Sequence, residues 1–137
     1  MSLYKLIEVS KTTEKESQSI YDKETLENAV NTMHNDFGVA VKQDSTIGAY
    51  AVIIDNETGT KVDKVQWGLP IKERVYTHND FSEDNISAYD SEQLSIGNYH
   101  TKLASQRNND KVNHAVTVRL DAFGDFADSD VWNRATE

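Results

Sequence analysis

Apolar and polar positions along this chain fall into stretches of alternating and of helical period. Leu3-Tyr4-Lys5-Leu6-Ile7-Glu8-Val9-Ser10 reads as a first strand. Residues 11–19 are charged and hydroxylated and lack an apolar anchor, so they read as a solvated loop. Leu26, Ala29, Val30, Met33, Phe37, Ala40 and Val41 then recur at steps that put them on one helical stripe. Asp22 is the predicted N-cap, since its carboxylate can accept a bond from an orphan backbone N–H. The stripe keeps its period past Gly38, which predicts a helix running to about Lys42.

Residues 46–55 form the strongest strand pattern. The run is apolar on both alternating faces, as in a central strand covered on each side, or covered on one side and at an interface. Asn56-Glu57-Thr58-Gly59 is a turn, and Lys61 to Trp67 is its partner strand, with Val65 and Trp67 in phase. Gly68-Leu69-Pro70 breaks the pattern and marks a junction. Beyond it, residues 72–78 read as a strand and residues 79–88 as polar connection. Asp90 or Ser91 caps a second helix to about Arg107, with Leu94, Ile96, Tyr99, Leu103 and Ala104 apolar. Residues 112–123 alternate as a second long strand.

This order predicts an α+β fold: an antiparallel or mixed sheet of about five strands with two helices on one face. One domain spans 1–137. Its halves, 1–69 and 70–123, echo each other as two related β-α-β units, and 124–137 form an acidic tail. The echo pairs Tyr21-Asp22 with Tyr89-Asp90, and Val52-Ile53-Ile54-Asp55 with Val118-Arg119-Leu120-Asp121. The first pair is spaced by 68 residues and the second by 66, so the two spacings slip by two. Met1-Ser2-Leu3 carries an expected expression scar.

Charge narrows the partners. The formal net charge is −9, with 14 basic and 23 acidic side chains shared almost evenly between the halves. Phosphate binding needs clustered Lys and Arg, and no such cluster occurs, so neither nucleic acid nor an anionic membrane is an expected partner. The chain has no cysteine, which removes disulfides, thiolate nucleophiles and thiolate metal ligands. No apolar run approaches the length of a bilayer span and no secretion signal opens the chain, so the expected location is cytoplasmic. The sequons at Asn56 and Asn85 then carry no meaning.

Candidate chemistry is thin. None of the four histidines stands at metal-ligand spacing from another. The word His34-Asn35-Asp36-Phe37 recurs as His78-Asn79-Asp80-Phe81. The candidate metal ligands are His78 and Asp80 in that word, or Asp121 and Asp125 in an acidic cluster that continues to Asp128 and Asp130 and departs from the EF-hand pattern. Neither a nucleophile elbow nor a phosphate loop is present, so no catalytic residue and no cofactor are assigned. Trp67 and Trp132 are the candidate interface residues. The leading expectation is a non-enzymatic assembly protein that self-associates, through a sheet face or edge, or meets another protein. A small-ligand or metal-binding module, or an unfamiliar enzyme, is the alternative. A third is an acidic mimic of DNA.

Overall fold

The computed structural model describes residues 3–81 and 84–134, so most of the expected Met1-Ser2-Leu3 scar, part of the 79–88 connection and the last three tail residues lie outside the described residues. The chain forms two compact units, Met1–Ile71 with Ala122–Asp125, and Lys72–Asp121 with Phe126–Glu137. In the first, β1 (Tyr4–Lys11), β2 (Glu16–Lys23), α1 (Leu26–Lys42), β3 (Gly48–Asp55) and β4 (Lys61–Gly68) make an antiparallel sheet of order β2-β1-β3-β4. In the second, β5 (Glu73–Asn79), β6 (Asp84–Tyr89), α2 (Glu92–Asn108), β7 (His114–Leu120) and β8 (Phe126–Asn133) repeat it as β6-β5-β7-β8.

The fold is thus α+β with two helices, but eight strands in two sheets replace the expected single sheet of about five, and each sheet carries its own helix. Three strands were not legible as strands. β2 takes up part of the expected 11–19 loop, β6 the end of the 79–88 connection, and β8 most of the acidic tail. All three are edge strands. An edge exposed to solvent needs little apolar content and is often blunted with charge.

Each helix starts where a hydroxyl caps it. Thr25, not Asp22, is the first cap and accepts the Asn28 N–H at 3.2 Å; Ser91 accepts the Leu94 N–H at 3.2 Å. Asp22 instead lies in β2, ion-paired with Lys5.

The two units match at an offset of 66 residues from the helix cap through the second long strand, and the turns after the helices share their backbone bonds. Gln43 N–H donates to Ala40 O and Thr46 N–H to Gln43 O; Asn109 N–H donates to Gln106 O and Val112 N–H to Asn109 O. The β3–β4 register shifts between Ile53 and Ile54, and the β7–β8 register shifts between Arg119 and Leu120. The turn that follows is one residue longer in the first unit, so from there the offset is 65, which equates the left-handed glycines Gly59 (φ 69°) and Gly124 (φ 84°). The Tyr21 and Tyr89 words, spaced by 68, do not fall into this register.

Leu6, Ala29, Met33, Ala51 and Ile53 form the core under α1. Tyr50, Val52 and Ile54, on the opposite face of β3, are at most 1% exposed, so within one chain β3 presents no open face.

Candidate functional site

Side chains on the helix side of the first sheet stand in rows fixed by strand register. One row runs Ser19, Glu8, Ala51, Val65; the next runs Ser17, Ser10, Ala49, Trp67. Above them α1 places Met33, Asp36 and Ala40 on one stripe, by the period of three and four. The neighbouring rows are filled by Leu6, Ile53 and Met33. Here the side chains are short, so helix and sheet leave a cavity of about 110 Å3 lined by Glu8, Ser10, Ser17, Asp36, Ala40 and Ala49, among others.

Two carboxyls meet in that cavity. Burial pushes the Glu8 carboxyl up to about 8; a hydrogen bond to Asp36 and the charge of Asp36 add to the rise, and Lys23 opposes it. Desolvation and a like charge both favour the neutral acid. Among the described residues no donor reaches the buried Oε2 of Glu8. With its value raised to about 8, the Glu8 carboxyl holds its proton at neutral pH.

The second unit fills the same space. Ser10 corresponds to Asn79 and Ala40 to Gln106, and Asn79 Nδ2 donates to Gln106 Oε1 at 3.1 Å. Glu8 corresponds to Thr77 and Asp36 to Lys102. One topology thus carries an open acidic cavity in one unit and a closed polar contact in the other.

The residues singled out in the sequence lie elsewhere. His78 Nδ1 and Asp84 Oδ1 are 2.9 Å apart, and the Tyr76 hydroxyl donates to the same oxygen at 3.2 Å. Asp80 accepts the Asn113 N–H at 3.1 Å and 3.3 Å, closing the chain after β5. Asp125 pairs with Lys64 at 2.7 Å and Lys61 at 3.3 Å, and the Lys64 hydrogen bond draws its carboxyl below the ordinary range. Asp121 follows β7, in the second unit. Among the described residues no three His, Asp or Glu side chains converge as metal ligands, and no helix is long and apolar enough to cross a membrane.

The two tryptophans occupy one structural position. Trp67 pairs across the strands with Ala49, and Trp132 with Ala115. Trp132 is half-buried, with the Arg107 and Arg134 guanidiniums 5.5 Å and 4.9 Å from its ring centre. Trp67 is 45% exposed.

Glu8 and Asp36 were missed as a pair, though each left a trace. Glu8 is an acid at a core-facing step of an alternating strand. Asp36 is an acid on the stripe of Ala29, Met33 and Ala40. Neither trace says that the two side chains meet. No family model matches this chain, no curated protein matches its sequence, and no solved structure matches its fold.

Proposed function

We propose that this chain is a non-catalytic binding module whose first unit takes the cationic head group of a small organic ligand, an ammonium or a guanidinium, in the Glu8–Asp36 cavity. The observation that carries the reading is a cavity lined by the two acids Glu8 and Asp36, with Ser10 and Ser17 beside them. A cation that displaces the Glu8 proton offsets the charge of both carboxylates and supplies a donor to the Glu8 Oε2, which has no partner among the described residues. The size fits such a head group: cavities of roughly 150 Å3 accept a benzene ring. In the second unit, which has Thr77 and Lys102 at the positions of the two acids, Asn79 and Gln106 are hydrogen-bonded where Ser10 and Ala40 stand in the first.

Binding that expels the Glu8 proton strengthens as pH rises through about 8. Thermal melts with millimolar methylammonium, guanidinium, calcium and zinc, at pH 6.5 and pH 9, test this. A ligand that binds only the native state raises the midpoint. The expected result is a rise with an organic cation, larger at pH 9, that disappears in the Ser10→Asn/Ala40→Gln double variant. Flat melts with every probe at both pH values would sink the reading, and a response to zinc or calcium alone would replace it with a metal site.

A further inference from the structure

The second unit shows what a tryptophan at this position of the fold accepts. Two arginines flank Trp132, and Arg134 is held there by a fixed backbone: its N–H donates to Asn113 O at 2.8 Å, and its guanidinium donates to Asn109 O and Val112 O. In the first unit, Leu69 N–H donates to Ile47 O at 2.9 Å. Ile47 and Asn113 correspond at the 66-residue offset, and Leu69 and Arg134 at the 65-residue one. Arg107 corresponds in turn to Val41. Both cations that flank the Trp132 ring are therefore replaced by aliphatic residues around Trp67. Trp67 is 45% exposed and Leu69 is 56% exposed.

We infer that Trp67 and Leu69 form a docking site for an arginine-bearing segment of another protein, whose guanidiniums take the places that Arg107 and Arg134 hold over Trp132. An indole face attracts a cation through its quadrupole, most strongly where the cation is partly desolvated. Guanidinium suits this better than ammonium, because it is planar and weakly hydrated and stacks on a ring. Two cations on one ring favour a segment with two arginines over a single free one. Charge agrees: this unit carries seven basic and twelve acidic side chains, a field that draws in a basic partner. Leu69 adds the apolar surface against which an arginine stem packs. Trp67 pairs with Ala49, which lines the cavity, but its docking role follows from the tryptophan equivalence and needs neither Glu8 nor Asp36.

The indole N–H resonances of the two tryptophans, assigned with Trp67→Leu, report the two positions separately in the full chain. The probe is a short peptide with two arginines spaced by one glycine, set against its lysine and citrulline counterparts. Binding is expected to shift the Trp67 signal saturably and leave Trp132 still. The lysine peptide should bind at least threefold more weakly, and the neutral citrulline peptide should not bind. Leu69→Arg, which supplies the cation in cis, should abolish the response, while the Ser10→Asn/Ala40→Gln variant should keep it. A still Trp67 signal, an equal response to citrulline, or undiminished binding by a folded Leu69→Arg variant would overturn the inference. So would a Trp67 shift that depends on protein concentration without peptide, which would make a second copy the occupant.

Discussion

Asn79 donates to Gln106 across 3.1 Å of the second unit, in the space that Ser10 and Ala40 leave open in the first. Because both units share one backbone at these positions, the first should accept the same pair. Ser10→Asn combined with Ala40→Gln is expected to change stability by no more than about 1 kcal/mol, as a filled and hydrogen-bonded void offsets the added volume. Chemical denaturation checks this, and a loss of about 3 kcal/mol or more would show that the two sites are not equivalent.

The Glu8 carboxyl sets a pH dependence. Its folded value is about 8 against an ordinary 4.5. Between these values the folded state binds the proton that the unfolded state has released, so stability falls as pH rises through that window. Glu8→Gln keeps the neutral shape and removes the titration. At pH 8.5 the variant should be more stable than the parent by roughly 1 kcal/mol, about 3 °C, after discounting for partial exposure. At pH 4 the two should melt together. Parallel melting curves from pH 4 to 9 would contradict the raised Glu8 pKa.

Glycines divide by what a methyl group would meet. Around Gly38 in α1 and Gly97 in α2, a Cβ meets nothing within 4 Å. Alanine at either position should stabilise by about 0.5–1 kcal/mol. Gly124 sits at φ +84°, and a Cβ there would lie 2.6 Å from the ring of Tyr50, which is 1% exposed. Gly124→Ala adds left-handed strain to overpacking and should cost about 3 kcal/mol. Equal melting temperatures for Gly38→Ala and Gly124→Ala would refute this ordering.

Arg119 occupies the position that Ile53 holds in the first unit, and two carboxylates meet it: Glu73 at 2.6 Å and Asp128 at 2.8 Å. Burial disfavours its charge, but the hydrogen bonds to Asp128 and Glu73 outweigh that and raise its pKa. Glu73→Ala leaves the buried guanidinium with one partner and is expected to cost about 2–3 kcal/mol. Adding Arg119→Ile, the first unit's solution, should recover more than half of the loss. The double-mutant cycle reads this directly, and additive losses would mean that the ion pair does not couple.

The long, regular elements were legible because burial writes them into the sequence. β3 and β7 read as strands, and α1 ends at Lys42 as its apolar stripe predicts, since a buried face demands a period that cannot slip. The edge strands β2, β6 and β8 were invisible for the opposite reason: a strand that buries little carries little pattern. The sequence alone determined an α+β chain with two helices, a strongly acidic surface and no thiol chemistry. Which residues form the candidate site was decided only by tertiary structure. Glu8 and Asp36 are 28 positions apart, and they meet because strand register and helix phase lay their two stripes over the same row of short side chains. Trp67 and Trp132 are both visible in the sequence, but only strand pairing makes them equivalent, and only the fold sets two guanidiniums over Trp132 while leaving Trp67 45% exposed.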